Sequence, residues 1–508
     1  MITRRSFLAH STAALALFAA PTHAMMPRFL SDEPFDATTV EEMARTLSEA
    51  PYSPRPLVPE AWRNLTYDQY RKIWFNTSKA VWADTGLPLQ MDLFHPGLYF
   101  PQAVEVDVVA NDRAHRLAFD YALFDKTDKA PELPLDETMG YSGLRLRAEL
   151  IKAGIYQEFC VFQGASYFRA LATGQNYGLS ARGLALKTGD RDGEEFPDFV
   201  RFWVETPAHD SGTFILHALL DSPSVTGAFR FEITPGTPCE MVVRATLFPR
   251  VMLDHVGIAP LTSMFLYDET NREAFRDFRP AVHDSDGLLV WNGAGEMLWR
   301  PLANPRDLGI SAFVDDNPKG FGLMQRARDF QDFEDLEAHY HTRPSAWVEP
   351  LGDWGAGVVR LVEIPADKEI YDNIVAYWRP REALAPGRAH RFDYRLTWGE
   401  EPLRRRDLAR VGNTFGGLNF AQNAEQMVID FDPHPELDVP IEDISVHVSS
   451  NDVAVSSGLL QRLPDGQGVR LAFSFDPEGR TSAELRAQLL RDGRPVSEVW
   501  LYRWRASA

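Results

Sequence analysis

Cysteine is nearly absent. Cys160 and Cys239 are the only two in 508 residues, which excludes a disulfide-stapled scaffold and leaves stability to an apolar core. The pair either forms one bridge, as an oxidising compartment allows, or remains as two separate buried thiols. Long apolar runs are missing too: the stretch Ala13 to Ala20 falls far short of the roughly 20 residues a spanning helix needs. Positive charge is scarce. Lys and Arg number 52 against 72 Asp and Glu, a net −20, which repels nucleic acid and anionic membrane surfaces and suits a neutral substrate. There are no internal repeats or low-complexity tracts, which excludes solenoids and propellers. A phosphate-binding Gly-rich loop, a metalloprotease His-Glu pair and a Gly-x-Ser-x-Gly elbow are all lacking.

What is present begins with an address. Arg4 and Arg5 precede Phe7, Leu8, the short apolar stretch and the small-residue site Thr22, His23, Ala24. That order is a secretory signal, and the paired arginines mark the twin-arginine export route, with cleavage expected after Ala24. Removing Arg4 and Arg5 with the signal takes the net charge from −20 to −22. The remaining chain is 44% hydrophobic and 12% aromatic by the composition of the whole, so it folds rather than staying disordered.

Apolar residues recur at three and four after Thr38 and Thr39, predicting a helix through Val40, Met43, Ala44 and Leu47, with a second short helix over Tyr67 to Phe75. Short runs rich in Val, Phe, Tyr, Leu and Ile then alternate with Gly, Pro, Asp and Asn clusters and read as strands: Ala103 to Val109, Arg116 to Tyr121, Gly143 to Leu150, Phe199 to Glu205, Arg391 to Trp398. Asp329 to His339 reads as one or two helical turns. The basic run Arg404 to Arg406 and the Gly- and Asn-rich stretch Gly412 to Asn419 read as a mobile linker and loop. Beyond Met427, evenly spaced strands have the rhythm of an immunoglobulin-like sandwich. The expected division is 1–24 signal, 25–398 large β-sandwich, 399–425 linker, and 426–508 small β-sandwich.

Polar and aromatic residues concentrate between His283 and Trp378. Asp284, Ser285 and Asp286 before Gly287 look like the opening of a calcium loop, but the acidic ligand at its far end is missing. Asp315 and Asp316 are a carboxylate pair or, more economically, a turn. Carboxylates interleaved with Trp347, Trp354, Tyr371 and Trp378 suit a carbohydrate, since aromatic faces stack on sugar rings and carboxylates bond hydroxyls or move protons. Taken singly, each carboxylate reads as a solvated turn and each Trp as core.

Longer strings are more specific. Phe162 to Arg169, Gly174 to Leu184, His283 to Leu288, Asp315 to Phe321, Phe333 to Tyr340, Trp347 to Gly355 and Tyr371 to Pro380 closely resemble the periplasmic glucan biosynthesis proteins G and D, and the resemblance runs nearly end to end. It implies an all-β chain with a galactose-mutarotase-like N-terminal sandwich and a small immunoglobulin-like C-terminal one. Members are similar to glycoside hydrolase family 186, which cleaves or transglycosylates β-1,2-glucan with inversion. The resemblance further implies a periplasmic location, no metal or organic cofactor, a homodimer, and the glucan synthesis machinery of the inner membrane as a partner. Carried over, the catalytic residues are Asp284, Asp372 and Tyr340, the tyrosine lying in the path of the proton, and substrate binding falls to Trp347, Trp354, Tyr371, Trp378 and Arg379. Trp354 and Trp378, each next to polar residues, are expected to line the groove. A glucan-binding scaffold without efficient cleavage is the alternative; a sugar epimerase rests on fold analogy alone.

Replacing Arg4 and Arg5 together by Lys is expected to leave uncleaved precursor in the cytoplasm, because the pair is read as an address. Normal appearance of the double variant in the periplasmic fraction would overturn the assignment.

Overall fold

The computed structural model describes residues 28–403, 407–464, 466 and 468–506. The signal segment and the basic run 404–406 lie outside them. Among the described residues the chain is overwhelmingly β, in a sheet of 16 strands facing one of ten, with a separate four-stranded sheet toward the C-terminus. No described helix is long and apolar enough to cross a membrane.

The core follows from alternation. Side chains point to opposite faces at successive strand positions, and inward-facing aromatics of the two large sheets meet in a Phe cluster. Phe162 stacks on Phe168 at 5.3 Å, and Phe231 meets both edge-on at 5.1 and 5.2 Å. Cys160 and Cys239 sit in this core as free thiols. Some strands are covered on both faces: Val256–Ser263 is buried throughout, as a central strand under a second layer must be.

Local signals were overridden in places. The helix Thr39–Glu49 forms where expected and buries Val40 and Ala44. The second helix stops after one turn, Tyr67–Tyr70, capped reciprocally by Thr66 and Gln69. Ile73–Phe75, β-branched and aromatic, instead pairs with Phe124–Lys126. The strand read over 116–121 ends at Arg116, and Asp329 to His339 yields a single turn, Phe330–Phe333. The expected loop at Gly412 to Asn419 is a strand, Val411–Leu418, paired with Glu425–Phe431. As an edge strand it hides few side chains, so no alternation marks it. Gly412 serves close approach: a Cβ there would meet the Asp432 carboxylate at 2.3 Å.

Ala409 already pairs with the C-terminal strands, its amide donating to the Val496 carbonyl at 2.8 Å and its carbonyl accepting the Glu498 amide at 2.9 Å; the region beyond it forms a C-terminal unit. It is joined to the large sandwich by a parallel pairing of Met297–Pro301 with Val499–Arg505, so the 16-stranded sheet crosses from one unit into the other. Trp299, Met324 and Trp347 share one apolar cluster with Val411, Ile429 and Trp500. Through this junction runs a buried ion pair. Arg326 bonds both carboxylate oxygens of Glu498 at 2.7 and 2.9 Å and the Val411 carbonyl, and its guanidinium lies 3.5 Å from the Trp299 ring centroid. Glu498 also accepts the Val411 amide at 2.9 Å.

Three tryptophans expected to bind substrate, Trp354 and Trp378 among them as groove residues, are core residues. Trp378 is 0% exposed and Trp354 7%; they pack 6.4 Å apart, with Phe392 and Tyr394 around Trp354. Arg379 next to Trp378 in sequence says nothing about Trp378, because strand neighbours face opposite ways. Trp347 lies over Gly320, where a Cβ would be 2.3 Å from the indole.

Trp378→Ala should therefore cost about 3–5 kcal/mol of stability, the range for emptying a buried aromatic site, and urea unfolding will read it as a lowered midpoint. Glu498→Ala strands the buried Arg326 charge and should cost about 3 kcal/mol or more, with the loss falling on the N-terminal sandwich as well. A native-like midpoint for either variant would contradict the packing described.

Candidate functional site

Asp284 follows the two-residue strand Val282–His283, which pairs with Phe265–Tyr267. Its amide bonds the Met264 carbonyl at 2.8 Å. Asp372 arrives from the loop before the strand Ile374–Pro380, and its neighbour Asn373 is what brings the two together. The buried Asn373 side chain accepts the Phe265 amide at 2.8 Å and donates to the carbonyls of Phe265, at 2.9 Å, and Ile364, at 3.1 Å. One side chain thus acts as a missing strand rung, tying the Asp372 loop to the strand that pairs with the Asp284 segment.

The two aspartates differ in setting. Asp284 is 5% exposed and paired with Arg343; burial raises its proton affinity, Arg343 opposes that, and the negative charge of Asp372 adds to it. Asp372 is exposed, with Arg169 Nη2 at 3.6 Å. Arg169 acts electrostatically on Asp284 as well, and its Nε is anchored on Ser180 Oγ at 2.6 Å.

Tyr340 connects this region to a third carboxylate. Its hydroxyl donates to Glu369 Oε2 at 3.1 Å, and Arg343 stacks 4.3 Å over its ring while donating to the Ala338 carbonyl. The phenol is nearly buried, and burial, followed by the Glu369 charge, raises its pKa far above the usual value. Arg279 fixes the surrounding loops by bonding Asp277 at 2.8 Å and Asp335 and Glu369 at 2.7 Å; its hydrogen bond is the main reason the Asp277 carboxyl falls to about 2.

A buried amide links the Asp284 and Tyr340 segments from behind. Gln325 Nε2 donates to the carbonyls of His283, at 3.0 Å, and Tyr340, at 3.3 Å, while its Oε1 lies 2.9 Å from His283 Nδ1. The other ring nitrogen is 3.3 Å from Asp286, whose carboxylate accepts the amides of Arg326 and Ala327. Asp286 is thus committed to protein donors, which repel a cation. The Asp315 carboxylate likewise accepts the amides of Gly293 and Asp316, closing a turn.

Of the residues assigned from sequence, Asp284, Asp372 and Tyr340 share one region, with Tyr371 beside them at 49% exposure. Trp347, Trp354 and Trp378 are in the core. Arg379 bonds the Asp254 carbonyl at 2.9 Å at the far end of its strand, roughly 20 Å along the chain from Asp372 at about 3.3 Å per residue. Arg343, Glu369, Arg279 and Gln325 were not singled out. Their roles are contacts between loops, for which no periodicity or spacing in the sequence gives a signal.

Comparison with known proteins places the chain in a family. The profile of the family described as "Periplasmic glucan biosynthesis protein, MdoG" matches residues 35–504. The chain is 47% identical over 488 residues to glucans biosynthesis protein G of Shewanella sp. (strain ANA-3), covering 96% of this chain and 90% of that protein. It is 49% identical over 480 residues to glucans biosynthesis protein G of Vibrio cholerae serotype O1 (strain M66-2), covering 94% of this chain and 88% of that one. The chain therefore belongs to the MdoG family of periplasmic glucan biosynthesis proteins, and its setting is the periplasm.

Proposed function

We propose that this protein cleaves or transglycosylates the β-1,2-glucan backbone with inversion, using Asp284 and Asp372 as the proton-exchanging carboxylates and Tyr340 in the proton path. The observation that carries the reading is the pairing of unlike environments: a buried Asp284 of raised proton affinity electrostatically coupled to an open Asp372. Two carboxyl groups held in different settings are what acid and base roles require. An inverting reaction also needs a water between them, at a separation of about 6.5–9.5 Å or more. Tyr340 supports the reading because its hydroxyl is already committed as donor to Glu369. A phenol in that position can release its proton to Glu369 while its oxygen takes another from a water or sugar hydroxyl, so it never becomes the free phenolate that its burial forbids.

A second reading has its own support. Arg343 already neutralises Asp284, and a charge-paired carboxylate favours holding a sugar hydroxyl over exchanging a proton. On that reading the groove binds nascent glucan and organises its branching or release.

The variants Asp284→Asn and Asp372→Asn should each lower turnover of linear β-1,2-glucan by about 10² to 10⁴, the range for one general acid or base, with glucan affinity nearly unchanged. Tyr340→Phe should lower kcat and leave KM in place. Products are resolved by chain length and anomeric form; wild-type turnover in both Asp variants refutes these residues as acid and base, and wild-type protein that binds glucan without cleaving it assigns the protein to the scaffold reading.

A further inference from the structure

Of the residues expected to stack on sugar the tryptophans are core and only Tyr371 is exposed, so any aromatic platform farther from the site comes from the surface that carries Arg169. Tyr167 stands two positions before Arg169 in the strand Tyr167–Ala170. It therefore projects from the same face, about 7 Å along the strand from Arg169. The Asp372 charge still reaches it. Arg182 pairs in register with Tyr167 on the next strand, and its guanidinium lies 4.7 Å from the Tyr167 ring. The Phe196 ring lies 5.4 Å from the same guanidinium.

This arrangement is rigid. Arg182 is nearly buried, bonding Glu194 at 2.6 Å and Thr262 Oγ1 at 2.9 Å, and Glu194 also accepts the Thr188 hydroxyl at 2.6 Å. Glu195 is anchored on the Ser224 amide, at 3.0 Å, and hydroxyl, at 2.6 Å. Phe196, set between Glu195 and Pro197, is nonetheless 51% exposed. A ring that stays half in water while its neighbours are fixed on both sides costs little entropy to use in binding.

We infer that Tyr167, Arg182 and Phe196 form a remote glucan subsite, with Phe196 stacking on the pyranose ring of a residue several units from the bond at Asp284 and Asp372. The inference rests on the proposed glucan reading of the groove. The path from Asp372 through Arg169, Tyr167 and Arg182 to the ring is roughly 20 Å long, counting about 3.3 Å per strand residue. Only chains long enough to span that distance reach it. The phenyl face supplies apolar contact and the adjacent Arg182 and Glu194 supply donors and acceptors for hydroxyls.

The test is calorimetric binding of a length series of linear β-1,2-glucans to the full mature chain, wild type against Phe196→Ala and Phe196→Trp. Loss of one stacking contact should weaken long chains about tenfold. The effect should shrink toward none as the chain shortens, and Phe196→Trp should restore affinity. Equal weakening at every length, no weakening at any, or a lowered melting temperature that accounts for the loss in all variants overturns the subsite. Failure of wild-type protein to bind any β-1,2-glucan overturns the underlying reading along with it. Binding that is strong but indifferent to Phe196 overturns the subsite alone.

Discussion

The Arg326–Glu498 pair is the constraint on which both halves of the molecule depend. Two charges withdrawn from water are tolerated only when each is fully satisfied, and here satisfaction draws on three separate stretches of chain. Glu498 supplies both oxygens, Val411 supplies an amide and a carbonyl, and Trp299 supplies an aromatic face. The backbone of Arg326 meanwhile donates to Asp286, which leads through His283 and Gln325 to the carbonyl of Tyr340. The small C-terminal sandwich therefore serves as structural backing to the region that holds Asp284. It is continuous with that region through the sheet and through hydrogen bonds.

Charge is arranged economically around the site. The chain is strongly acidic overall, yet Asp284, Asp372, Glu369, Asp277 and Asp335 are each approached by one of three arginines: Arg343, Arg169 and Arg279. Arginine suits this because its planar fork serves several acceptors at once and stays charged when partly buried. The loops bearing the acidic groups have few backbone rungs of their own; the guanidinium contacts and the Asn373 side chain take their place.

Much of the fold was legible because strands that face a core on one side announce themselves. In Ser482–Arg491 the buried residues Ala483, Leu485, Ala487 and Leu489 alternate with more open ones, and that rhythm can be read directly. Legibility failed at two extremes. Val411–Leu418, an edge strand rich in glycine, hides too little to show a period. Val256–Ser263, hidden on both faces, shows no contrast. The aromatic assignment failed for a different reason: polar neighbours of Trp378 and Trp354 were read as a polar environment, whereas a strand or a tight turn puts adjacent side chains on opposite sides. Asp284, Asp372 and Tyr340 were reached through long matching strings, not through any pattern of spacing. Arg343 and Glu369 owe their roles to where separate loops meet, and such meetings are set by the tertiary fold.

The separation of 172 positions between Arg326 and Glu498 bears on the order in which the molecule is assembled. During synthesis the large sandwich emerges first, and domains generally begin to fold as they emerge. Arg326 has to wait, solvated or wrongly paired, until almost the last strand is available. Closing so distant a contact is slow, since loop entropy must be overcome before any reward is gained. The region around Asp286 and His283 is thus the last to set, and a chain shortened before Glu498 would carry a nearly complete sandwich in which that region lacks its backing.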